Sequence, residues 1–209
     1  MKKVPFYPNK KDDLHCYQAT LRMILKYFLP ERTFTFADLD DMTGFQKGYW
    51  TWPMRGALSL RALGFQVRDI EEFDYHRIAT DPERYLIEYY GEQAGKEQIR
   101  FSDIPKCKRD AREFVKQIPI EYRIPDYTDI QDLLTQGYLI KCLVNSKILN
   151  RKKGYVGHFV VVFRCTDHSI YFHDPGIPPR KSRRVTKRVF EKAWGYPNER
   201  AKNIMAFKI

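Results

Sequence analysis

The chain has no C-x-x-C cysteine pair, no long apolar run, and no apolar stretch behind its Met1-Lys2-Lys3 start. The first absence removes zinc ribbons and dithiol redox motifs. The second leaves nothing near the roughly 18 apolar residues that span a bilayer. The third argues against a secretory signal, so the expected location is the cytoplasm, with no membrane partner. In that compartment the four cysteines do not suggest a disulfide framework. With 11 Gly and 12 Pro, the chain is neither collagen-like nor of low complexity. No internal repeat, flexible linker or cofactor motif is visible.

What is present is enough for one core. The 209 residues (25.0 kDa) suit a single domain over 1–209. Hydrophobic residues at 43% and aromatics at 15% can fill it, which excludes wholesale disorder. The net charge is +11, unevenly spread: residues 180–209 hold ten basic and two acidic side chains. Such a stripe is either a solvated face or a surface for an acidic partner, with nucleic acid the less favoured occupant.

Helical patterning comes early and strand patterning late, which predicts an α+β fold with an antiparallel C-terminal sheet. A helix is expected over 14–29, capped by Asp12 or Asp13, with Gln18, Arg22 and Lys26 as its wet stripe. Further helices are expected over 36–42, with Thr35 as cap, and over 53–63, with Pro53 at its first position. Residues 71–118 read as a charged helical insert or sub-lobe. Strands are expected over 65–70, 120–124, 138–144, 157–164, 170–174 and 203–208, with helices over 126–136 and 186–194.

Cys16 falls in the first turn of the best-patterned helix. Helix N-terminal N–H groups favour thiolate over thiol, and a thiolate is the form that attacks. It then needs a base. Gly157-His158-Phe159-Val160-Val161-Val162-Phe163 opens a strand with histidine, and Ser169-Ile170-Tyr171-Phe172-His173-Asp174 closes one with aspartate. Folded as a hairpin, Phe163 faces Ser169 and His158 faces Asp174, at the spacing of directly opposed residues. A one-residue slip would separate the pair. His15 points about 100° from Cys16 around the helix and is a poorer base. His76 and His168 read as solvent-facing, and His173 as pointing to the other strand face. Cys142 and Cys165 read as buried or strand-end thiols, and Cys107 lies in a charged stretch. Cys16, His158 and Asp174 could ligate zinc, but no local ligand pair supports a metal.

The residues Val4 to Asn9, Cys16 opening its helix, Gly157-His158-Phe159-Val160-Val161-Val162 and Ile170 to Asp174-Pro175 resemble the bacteriocin leader-processing (double-glycine) cysteine peptidases and their stand-alone relatives, within the papain-like superfamily. The resemblance covers both ends of the chain but not 71–118. It implies a papain-like fold with the cysteine helix packed on the sheet. It also implies Cys16 as nucleophile, His158 as base and Asp174 as orienting acid, acting on a peptide or other amide. Two positions depart from the family: Tyr17 replaces the usual glycine after the cysteine, and Asn9 stands where a glutamine donates to the oxyanion. Asn9 is thus the implied oxyanion donor, with a turn role as its alternative. The same triad would serve an acyltransferase or small-molecule amidase. A non-catalytic binding module using the basic C-terminal face is the reading from another class.

Overall fold

The computed structural model describes residues 3–209; Met1 and Lys2, part of the extended stretch expected over 1–12, lie outside the described residues. The first half of the chain is helical around one strand: α1 (Cys16–Phe28), α2 (Phe36–Thr43), α3 (Pro53–Ala62), β1 (Gln66–Glu71), α4 (Tyr75–Thr80), α5 (Pro82–Tyr90), α6 (Glu92–Arg100) and α7 (Ile104–Gln117). The second half holds most of the sheet: β2 (Ile120–Glu121), α8 (Tyr127–Thr135), β3 (Leu139–Asn145), α9 (Ser146–Leu149), β4 (Gly157–Cys165), β5 (Ser169–Asp174), β6 (Arg180–Thr186), α10 (Lys187–Trp194) and β7 (Asn203–Lys208).

The seven strands run in the order β2-β1-β7-β3-β4-β5-β6, so the fold is α+β as expected. The sheet is mixed rather than purely antiparallel, because the short β2 pairs parallel to β1. The last strand in sequence, β7, is central, between β1 and β3.

Period-two alternation divides the strand residues between two cores. Leu139, Val161, Met205 and Phe207 face the cluster built by α1 to α7. Ile140, Cys142, Val160, Val162, Phe172 and Ala206 face the cluster built with α8 and α10. Leu21, Met23, Ile24 and Leu25 of α1 are wholly buried in the first cluster, each contributing about 1.5–3 kcal/mol by removal from water. Residues 71–118 are largely helical, and Phe73, Tyr75, Tyr85 and Phe114 sink into the same cluster as α1.

Local capping chemistry explains several helix starts. Thr35 caps α2 in a reciprocal box with Asp38, and Asp126 does the same for α8 with Asp129. Asp12 and Asp13 do not cap α1. His15 occupies that position, while Asp12 accepts from the Leu14 N–H and Asp13 from the Asn9 amide. Gln18 also departs from its expected wet stripe: it is fully buried and donates to Thr43 Oγ1 at 3.0 Å.

Tyr17 is accommodated by a glycine on the facing helix. Its hydroxyl donates to Pro53 O at 2.8 Å, and a Cβ on Gly56 would clash with the Tyr17 hydroxyl oxygen. Gly56→Ala is therefore expected to cost about 1–3 kcal/mol through overpacking, read as a lower urea midpoint. An unchanged midpoint would refute the Tyr17–Gly56 fit.

Candidate active site

Cys16 is the first residue of α1, and no acidic side chain sits in that helix's first turn. The helix N-terminus therefore favours the thiolate, with Asp13 in the preceding loop opposing it. Burial opposes ionisation of Cys16, but a hydrogen bond and charge from His158, together with the Phe159 N–H, outweigh it and hold the thiol below its usual range.

His158 opens β4 and Asp174 closes β5. Imidazole Nε2 meets Asp174 Oδ1 at 2.8 Å, both side chains being almost wholly buried. That leaves Nδ1 for the thiol, with which His158 also hydrogen-bonds. Burial disfavours the imidazolium, yet Asp174 and Cys16 together raise His158 to about 10. For Asp174 the same desolvation is overcome by His158, Arg183 and the Gly176 N–H, which bring it to about 2. These shifts all favour a thiolate beside an imidazolium, with a carboxylate behind the imidazole.

The hairpin register differs from the expected one. Val161 faces His173 and Val162 faces Phe172, two residues away from the symmetric pairing. An even offset keeps side chains on their face, so His158 and Asp174 meet diagonally rather than directly. Nearer the turn the offset is odd: Arg164 faces Tyr171 and Cys165 faces Ile170. A β-bulge at Phe163 absorbs the difference, and without it Asp174 would be on the wrong face. Beyond β5, a Cβ on Gly176 would lie 3.2 Å from His158 Nε2 and 3.0 Å from Asp174 Oδ1, so a side chain there would press on the pair.

Arg183 is a member of the site that the sequence did not announce. Its Nη1 donates to Asp174 Oδ2 at 2.7 Å and its Nη2 to Leu149 O. It sits in the basic stripe, but its strand β6 turns it inward beside Phe172. Pairing of β5 with a following strand was the signal that could have found it.

The other histidines are engaged elsewhere or exposed. His15 Nδ1 lies 3.0 Å from Asp12, its Nε2 3.3 Å from Asp40, and its ring packs against Phe45. His173 donates from Nε2 to Val4 O and accepts the Ser182 N–H at Nδ1, which ties the N-terminal segment to the sheet. His76 and His168 are exposed. Cys142 and Cys107 are buried, Cys165 is half-buried, and all four thiols are free. No group of three metal-binding side chains is found among the described residues.

Asn9 lies in the loop before α1. Its backbone N–H donates to Pro175 O at 2.8 Å, bringing the loop to the Asp174 turn. Its side-chain oxygen accepts from the Lys10 and His15 N–H groups, and its amide donates to Asp13. These bonds give Asn9 a turn-forming role and leave one amide hydrogen uncommitted.

A helix-borne cysteine facing a histidine–aspartate pair on the adjoining sheet is the arrangement of papain-like cysteine hydrolases. A family model described as the Peptidase_C39 like family matches residues 4–190, and the chain belongs to that family. The match extends through 71–118, beyond the segments that carried the resemblance in sequence. No curated protein matches the chain. No helix among the described residues is long and apolar enough to cross a membrane.

Proposed function

We propose that this chain is a cysteine peptidase with Cys16 as nucleophile, His158 as acid and base, and Asp174 as the group that orients His158. The observation carrying this reading is the His158 imidazole, bonded to Asp174 on one side and to the helix-terminal Cys16 on the other. The Cys16 thiolate attacks the amide carbonyl carbon, forming the C–S bond and a tetrahedral oxyanion. The Cys16 N–H, unpaired as the first in its helix, and the second amide hydrogen of Asn9 would receive that charge. The intermediate collapses as the C–N bond breaks, and the imidazolium protonates the departing amine. Water then gives its proton to His158 and its hydroxide to the thioester carbon. Collapse expels the thiolate and restores the ion pair.

Catalysis is tested with a panel of activated peptide esters, followed by intact-mass spectrometry. An acyl adduct on Cys16 that is lost in Cys16→Ala is expected; no adduct across the panel would sink the peptidase reading. Asn9→Ala is expected to slow adduct formation about tenfold or more, with alkylation of Cys16 little changed, since haloacetamide attack builds no oxyanion. Equal loss of both rates would assign Asn9 to the turn alone. Transfer of the acyl group to an added amine in preference to water would identify an acyltransferase. The exposed edge strand β6 is the surface on which an acidic partner would dock. Among the described residues, Arg180, Lys181, Arg184, Lys187 and Arg188 have no carboxylate within 4.0 Å. Salt-sensitive binding without acylation would favour a binding module.

A further inference from the structure

Beneath the first turn of α1 lies a buried charge cluster that this mechanism does not use. Lys141 on β3 is 2% exposed. Its ammonium sits 4.6 Å from the Tyr17 ring centroid and 4.4 Å from that of Phe159. Tyr17 follows Cys16, and Phe159 follows His158. The two rings lie 5.1 Å apart, so Lys141 closes a three-part contact joining the nucleophile's helix to the histidine's strand.

The same sheet face supplies the counter-charge. Met205 of β7 pairs with Lys141 on one side and Asp69 of β1 on the other, so the three form one row across the sheet. Glu71 follows two residues along β1 on that face, and its Oε1 accepts the Tyr75 hydroxyl at 2.7 Å. Both Asp69 oxygens are buried without a hydrogen-bond partner, and burial beside Glu71 pushes Asp69 well above the carboxylate range. Burial raises Glu71 as well. Burial brings Lys141 down to about 8, with Asp69 and Glu71 opposing that shift, so the ammonium is the form below that pH. The groups facing Lys141 are Asp69 and Glu71 from β1, Tyr17 and Cys16 from α1, and Phe159 from β4, with Cys142 beside it on β3. Asp13 opposes the effect from the loop before α1.

We propose that Lys141 is a positioning residue for the nucleophile: clamped by Tyr17 and Phe159, it holds the Cys16 turn against His158 and sets positive charge behind the thiolate. Cation–ring contacts away from water are worth more than exposed ones, and a charge in this low-dielectric layer acts on the thiol without solvent screening. It also gives Tyr17 a use at a position where glycine is usual.

The inference rests on the reading of Cys16 as nucleophile, and one measurement separates the two. The rate of Cys16 alkylation by iodoacetamide is followed against pH in the full chain. Wild type is expected to show a midpoint well below the ordinary thiol value. Lys141→Met should raise that midpoint by about one pH unit and leave the high-pH plateau in place. A purely structural lysine would lower thermal stability and not move the midpoint. Where Lys141→Met fails to fold, Lys141→Met with Glu71→Gln removes cation and carboxylate together, and the rise is still expected because the ammonium is the group against the Tyr17 and Phe159 rings. An ordinary midpoint in wild type overturns both readings. A low wild-type midpoint unmoved by the folded variant leaves the nucleophile standing and overturns the role of Lys141.

Discussion

Changing His158 to alanine is expected to move the alkylation midpoint of Cys16 upward. In the wild type that midpoint should lie below the ordinary thiol value of 9.0, because the imidazolium partner favours the thiolate. In His158→Ala the rate should climb about tenfold per pH unit until the ordinary thiol range is reached. The midpoint, rather than the rate at one pH, is the proper readout, since a more basic thiolate is also a stronger nucleophile and masks part of the loss. Peptide turnover should fall about 10³-fold, through loss of proton transfer to the leaving amine. At pH 7 wild-type labelling should fall on Cys16 first. Burial pushes Cys107 up to about 12 and raises Cys142 and Cys165 as well. An unmoved midpoint in His158→Ala, or uniform labelling of the four thiols, would remove the ion pair from the account.

Asp174→Asn is expected to act chiefly on stability and its pH dependence. Asp174 has a folded value of about 2 against an ordinary 3.8, so its contribution is present above pH 4 and is lost as pH falls toward 2. That contribution is about 2 kcal/mol. The Cys16–His158 pair behaves differently. The His158 contribution is full below pH 6.5 and is lost as pH rises through about 10. That of Cys16 is full above the ordinary thiol value of 9.0 and is lost as pH falls. Asp174 should therefore raise the wild-type stability curve between about pH 2 and 4, and His158 should lower it as pH approaches about 10. In Asp174→Asn the limb between pH 2 and 4 should largely vanish. At pH 7 the variant should be weaker by about 3 kcal/mol, since the buried Arg183 loses its carboxylate. Arg183→Met in the same background should recover part of the loss. Urea melts across pH test this directly, and an unchanged acid limb in Asp174→Asn would place the titrating group elsewhere.

Much of this site could be read in the sequence because each part carries a local signal. The α1 pattern, the histidine opening an apolar strand and the Asp-Pro-Gly stop each set one side chain at an element's end. What stayed hidden depended on partners distant in sequence. The strand β6, Arg180–Thr186, shows no apolar alternation because it is an exposed edge, so its cations read only as charge. Arg183 therefore went unseen. The bulge at Phe163 leaves no trace in a run of valines and phenylalanines, and the hairpin register shifted accordingly. No local signal in the sequence joins Asp69 to Lys141; only the sheet order, which brings β1 and β3 to either side of β7, pairs them. Gln18 was read outward with Arg22 and Lys26, and its partner Thr43 is 25 residues away.

The central position of β7 has a consequence for how the protein is made. On the ribosome Cys16 emerges early, yet its imidazole partner lies on β4 and the carboxylate behind it on β5. The strand that joins β1 to β3 comes later still, at Asn203–Lys208. Until those residues are available, β1 with the α1–α7 layer and the β3–β6 ladder are two halves without a shared edge. The nascent chain thus carries an ordinary, weakly acidic thiol through most of its synthesis. The proposed ion pair needs β4 and β5 in place against α1, and β7 then joins the two halves of the sheet beneath it.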